Sequence, residues 1–99
     1  MSEKIPWYRC RVGRGLLPGE YTVIGETVEG GMFSLVAPRS FVDLRGAAAP
    51  ATWDQWTTGF LRLRWAEAQE SFCVASLPVP AVQQGSYVKV PCDRVEWME

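Results

Sequence analysis

The sequence predicts an all-β fold: a small barrel or β-sandwich in one domain, residues 1–99. Two stretches and one pattern carry the prediction. Gly30-Gly31 leads into the apolar run Met32–Ala37, Pro38 punctuates it, and the short apolar run Phe41–Leu44 follows. A similar run, Gly85 to Trp97 with Pro91 at its turn, ends the chain. Elsewhere apolar and polar residues alternate with period two, as in a half-buried strand.

Composition sets the outer bounds. A chain of 99 residues with 47% hydrophobic and 21% charged residues is an ordinary globular domain. It is long enough for one core without metal or disulfide staples. The net charge of −1 gives no bulk pull toward nucleic acid or membrane. Five tryptophans are many for this length, and any exposed one would mark an interaction surface. Cys10, Cys73 and Cys92 are odd in number, widely spaced and form no C-x-x-C, so they read as reduced thiols in a cytoplasmic protein. Met1–Lys4 leads into no long apolar run, so no signal peptide is expected, and no stretch is long enough for a membrane span.

The elements follow in order. Residues 1–6 read as a polar lead-in. Trp7–Val12 is a strand with Tyr8, Cys10 and Val12 on one face and Arg9 and Arg11 on the other. Gly13, Gly15, Pro18 and Gly19 make a loop. Glu20–Val28 is a second strand of good β-formers, with Gly25 as a bulge or bend. Glu29-Gly30-Gly31 turns into the third strand, Met32–Ala37. Pro38–Ser40 is a tight or 3₁₀ turn before a short fourth strand, Phe41–Leu44. Arg45–Ala51 is linker. Thr52 with Gln55 is a weak capping box for one helical turn, which would put Trp53 and Trp56 on one face. Phe60–Trp65 alternates again, with Leu61, Leu63 and Trp65 against Arg62 and Arg64. Ala66–Glu70 reads as a hairpin connection or a short helix. Ser71–Leu77 is a strand, after which Pro78-Val79-Pro80 must leave any central ladder. Ser86–Val90 and Val95–Met98 complete the chain.

Sliding the second half onto the first by 53 positions places Arg9 and Arg11 on Arg62 and Arg64, Pro38 on Pro91 and Val42 on Val95. A duplication, with halves at about 1–46 and 54–99, would mean one pseudo-symmetric barrel or sandwich, since neither half could bury a core alone. The alternative is that strand–turn–strand units look alike wherever they occur.

The run Ala37-Pro38-Arg39-Ser40-Phe41-Val42 is similar to the closing motif of SH3 domains, and the order of elements from Tyr8 to Leu44 looks like an SH3-type barrel. The resemblance implies a peptide groove lined by Pro38 and Phe41, with Tyr21 as the nearest aromatic to the missing groove tryptophan. Fold analogy alone does not carry function.

Chemistry is sparse. The chain has no histidine, so neither a Ser-His-Asp nor a Cys-His site can be built. The pairs Glu26/Glu29 and Glu67/Glu70 read as solvated turns, and Gly13-Arg14-Gly15 lacks the helix and lysine of a phosphate loop. No enzyme, cofactor or metal is expected. The leading expectation is a protein-interaction module, of bacterial or phage adaptor or inhibitor type, using Trp53, Trp56, Pro38, Phe41 and Tyr21. The alternative is nucleic-acid binding through Arg9, Arg11, Arg14, Arg62 and Arg64, which form one patch if their strands are neighbours. Against that patch stands a solvated face whose arginines pair with Glu20, Glu26 or Glu70. A homo-oligomer is compatible with either.

Overall fold

The structure, a computed structural model, describes residues 4–98. Its strands are β1 (Ile5–Arg14), β2 (Glu20–Glu26), β3 (Met32–Pro38), β4 (Val42–Asp43), β5 (Trp56–Arg62), β6 (Trp65–Ala68), β7 (Cys73–Ala81), β8 (Gly85–Val90) and β9 (Val95–Met98). Single 3₁₀ turns, Arg39–Phe41 and Cys92–Arg94, precede β4 and β9. Among the described residues no helix is long and apolar enough to cross a membrane.

β1 is the spine of the larger sheet, ordered β3-β2-β1-β5-β4, and all its pairings are antiparallel. One edge of β1 pairs with β5 from Trp7↔Arg62 to Gly13↔Trp56. Its other edge is shared, with β9 along Ile5–Tyr8 and β2 along Arg11–Arg14. β6-β7-β8 form the smaller sheet. The core is one cluster drawn from both sheets: Tyr8, Cys10, Val12, Val23, Phe33, Leu35 and Leu61 from the first, and Cys73, Ala75, Leu77, Val88 and Val90 from the second. This is the all-β architecture the alternation predicts, with Tyr8, Cys10 and Val12 buried and Arg9 and Arg11 exposed.

The registers carry a pseudo-twofold. At an offset of 53 with the halves exchanged, Val42↔Leu61 becomes Val95↔Tyr8, and Trp7↔Arg62 becomes Phe60↔Arg9. Tyr8↔Leu61 maps onto itself and marks the axis. Each half therefore sends its last strand to pair with the first strand of the other half. Matched by ladder partners, Val23↔Leu35 corresponds to Ala75↔Val88, and Val12↔Val23 to Ala66↔Ala75. β7 thus lies 52 positions after β2, and β6 lies 54 after the end of β1. The extra residue before β6 falls at Leu63-Arg64, where the chain steps from the larger sheet to the smaller.

Several expectations need correction. Met1, Ser2 and Glu3 of the expected lead-in lie outside the described residues, while Ile5 and Pro6 pair with Met98 and Trp97. Gly13 and Arg14 belong to β1 rather than to a loop. The indole of Trp56 lies across Gly13, where a Cβ would come within 2.7 Å of the ring. Gly25 makes no bulge; it gives room to the rings of Phe33 and Tyr8, which a Cβ would meet at 2.4 and 2.7 Å. The helical turn over 52–59 does not form. Gln55 N–H closes a turn on the Thr52 carbonyl at 3.1 Å, and Trp56 already pairs with β1. Phe41 ends the 3₁₀ turn instead of starting β4. Trp65–Ala68 is a strand, because β7 offers it a ladder. Pro78 and Pro80 stay within β7, but in the register break between Ser76 and Ala81, where no ladder N–H is required.

Tyr8 is fully buried, its ring 5.5 Å from that of Phe33. Its hydroxyl donates to the Glu26 carbonyl and accepts from the Glu26 N–H, both at 2.9 Å. Tyr8→Phe keeps the ring and removes both bonds, so urea unfolding should show a loss of about 1–2 kcal/mol; an unchanged midpoint would remove the hydroxyl from the account. Burial pushes this phenol from 10.0 up to about 12. Its contribution is therefore intact below pH 10.0 and lost as the pH rises through about 12. Tyr8→Phe should show a smaller loss of stability across that window than the parent.

Candidate functional site

Because Tyr8, Cys10 and Val12 face the core, Trp7, Arg9, Arg11 and Gly13 face outward on β1. The ladder sets Arg62, Phe60, Thr58 and Trp56 directly opposite them, in that order. The outer face of β1 and β5 is thus a block of alternating guanidiniums and rings. Arg62 opposes Trp7, Arg9 opposes Phe60, and Arg11 lies diagonal to Trp56 with its guanidinium 5.4 Å from the ring centre. At the end of β1, the Arg14 guanidinium stands 5.0 Å from the Trp53 ring. Trp56 and the arginine stripe, separate ideas in the sequence, share this face, while Trp53 meets Arg14, which stands on the Val12 side of the alternation.

The electrostatics favour an anion there. The ion pairs among the described residues are Arg45–Glu96 and Arg94–Glu26, each at 3.5 Å. Arg9, Arg11, Arg14, Arg62 and Arg64 take part in neither, so the expected pairing with Glu20, Glu26 or Glu70 is absent among the described residues. Of the acidic side chains, Glu29 lies in the β2–β3 turn, Glu67 and Glu70 around the β6–β7 connection and Asp93 in the second 3₁₀ turn, whereas Glu20 and Glu26 stand at the ends of β2 and Asp43 and Glu96 at the edge of this face, opposite Phe60 and Trp7. Arg45 covers the outward ring of Phe60 at 3.4 Å and leaves that residue 7% exposed. The Arg45 backbone N–H donates to Asp43 Oδ1 at 2.8 Å, which fixes the bend after β4.

The remaining singled-out residues fall in different places. Tyr21 is a core residue with the Arg39 guanidinium 4.7 Å above its ring, so it is not a free contact aromatic. Pro38 is exposed at the end of β3. Phe41 is half-buried and lines a cavity of about 460 Å³ with Arg62, Leu63, Arg64 and Pro78. Arg64 stands past the end of β5, at this cavity rather than in the row of Arg9 and Arg11. Trp7, Phe60 and Arg45 join the face without having been singled out. Phe60 could have been found from its period-two spacing to Arg62, whereas Arg45, inside the apparent linker, carries no signal.

The buried thiols of Cys10 and Cys73 offer no nucleophile. Burial pushes Cys10 up to about 12; burial, then the neighbouring Cys92, does the same to Cys73. A hydrogen bond from the Thr52 hydroxyl lowers the Asp54 carboxyl, which is fully exposed and faces no cleft. No group of three potential metal ligands occurs among the described residues. Compared with known proteins, the chain matches no family model, no curated protein and no solved structure.

The Arg11–Trp56 contact should be measurable as a coupling. A double-mutant cycle with Arg11→Ala and Trp56→Ala should give about 0.5–1 kcal/mol in thermal or urea unfolding. Strict additivity would mean that the ring and the guanidinium do not hold each other in solution.

Proposed function

We propose that this protein is a non-enzymatic binding module that holds single-stranded nucleic acid across the outer face of β1 and β5. One observation carries the reading. Arg9, Arg11 and Arg62, with no carboxylate partner among the described residues, interleave with Trp7 and Trp56 in adjacent rows of one sheet, with Phe60 held between them under Arg45. Guanidiniums neutralise phosphates and rings stack on unpaired bases, the combination by which small β-domains hold single strands. A duplex hides its base faces, so it gains only the charge term. Each half is taken as an SH3-like unit, supported by the order strand, loop, strand, hairpin, strand, 3₁₀ turn, strand. A cytoplasmic location goes with free thiols and access to nucleic acid.

The module should quench its tryptophan fluorescence on titration with mixed-sequence single-stranded oligonucleotides, and bind duplex of the same sequence more weakly. With three phosphates neutralised, log affinity should fall against log salt with a slope of about −2. Arg9→Glu with Arg62→Glu should abolish binding, and Trp56→Ala should weaken it by about tenfold while the fold stays intact. Saturable binding unaffected by salt or by the arginine changes would sink the reading.

A protein partner is the second reading, favoured by the loop after β1. Leu16 and Leu17 are 69% and 64% exposed, and Trp53 is 58% exposed. Such a partner would be lost with Leu16→Asp, Leu17→Asp and Trp53→Ala, changes that leave the Arg9, Arg11 and Arg62 rows untouched.

A further inference from the structure

We infer that the cavity between Arg62 and Arg64 is a phosphate subsite that takes the terminal phosphate of a bound strand; this rests on the nucleic-acid reading above. The pseudo-twofold shows why a cavity stands here. By the ladder offsets, Arg62 corresponds to Arg9, Phe41 to Arg94 and Pro78 to Glu26. In the first position Arg94 and Glu26 meet as an ion pair at 3.5 Å across the seam between the halves. At the related position those two places are held by a ring and a proline, which cannot bridge. The cavity of about 460 Å³ opens between them, with Arg62, Leu63 and Arg64 completing its wall.

The chemistry of the wall selects the ligand. Two guanidiniums on one concavity, neither in an ion pair among the described residues, match the charge of a phosphate monoester, about −1.5 to −2, better than the single charge of a diester. Phe41 and Pro78 give the opposite wall an apolar lining suited to the sugar or base that carries the phosphate. A volume of this order suits one nucleotide. Position agrees as well. Arg62 belongs both to the outer face and to the cavity, so a strand lying along the face reaches the cavity at its end, where β5 stops. Leu63 N–H donates to the Pro6 carbonyl at 3.0 Å and Arg64 N–H to the Ser76 carbonyl at 2.9 Å. The backbone that presents both arginines is thereby tied to β1 and to β7.

The test compares one oligonucleotide in three forms: 5′-phosphorylated, 3′-phosphorylated and unphosphorylated. Each is titrated against the parent protein, Arg64→Gln and Arg9→Gln, with circular dichroism confirming the fold. One of the phosphorylated forms should bind the parent about tenfold more tightly than the unphosphorylated one. Arg64→Gln should erase that gain and bind the unphosphorylated form like the parent. Arg9→Gln should weaken all forms and keep the gain. Equal binding of all three forms to the parent, or a gain that survives Arg64→Gln, overturns the subsite and leaves the nucleic-acid reading standing. Should no oligonucleotide bind, inorganic phosphate is titrated instead. Phosphate binding lost in Arg64→Gln then retains an anion site and removes the nucleic-acid reading, and no phosphate binding removes both.

Discussion

The β1–β5 ladder is the constraint on which everything else rests. It joins the first strands of the two halves over residues 7–13 and 56–62, and Tyr8↔Leu61 lies on its axis. Each half closes by giving its last strand to the other, β9 to β1 and β4 to β5. The halves share one core, because Tyr8, Val95 and Leu61 belong to a single buried cluster drawn from both. Tyr8 also ties the axis to the end of β2 through Glu26, so ladder, hairpin and core are fixed by one side chain. That coupling is what makes one cooperative unit from two short repeats.

The same ladder writes the outer face. Once Tyr8 and Leu61 point inward, alternation sends Arg9 and Arg62 outward within one row of each other. Like charges so placed repel, and a sheet selected only for stability would set carboxylates among them. Rings stand there instead: Phe60 opposite Arg9, Trp7 opposite Arg62 and Trp56 beside Arg11. Rings accept a guanidinium without neutralising it, so the face keeps its charge while Trp7 and Trp56 stay partly exposed. The carboxylates present at the edge, Asp43 and Glu96, are engaged by Arg45.

Much of this was legible in the sequence because it is local. Period-two alternation told which way Tyr8, Cys10, Arg9 and Arg62 point, Gly30 and Pro38 marked their turns, and the 53-position offset located the repeat. What escaped depends on partners distant in the chain. Trp56 looked helical beside Thr52 and Gln55, and only the ladder with Gly13 makes it a strand residue. Tyr21 looked like a contact aromatic, and only its position opposite Ala37, under Arg39, makes it core. Trp65–Ala68, rich in helix formers, became a strand because β7 had a free edge. The merging of Trp56 and the arginines into one surface needed the register, which no single stretch encodes.

The places where the repeat breaks its own symmetry are the most informative. The extra residue at Leu63-Arg64 turns what is one ten-residue strand in the first half into β5 and β6 in the second. Arg64 is thereby released from the sheet face and stands beside Arg62 at the seam. The opposite wall changes in step, with Phe41 and Pro78 where Arg94 and Glu26 pair in the other half. An exposed ion pair at 3.5 Å is worth less than about 1 kcal/mol, so its replacement gains or costs the fold little. A difference of small energetic consequence that both opens a cavity and gathers at its rim two cations without an ion pair among the described residues fits the proposed phosphate subsite better than a change in how the halves hold together.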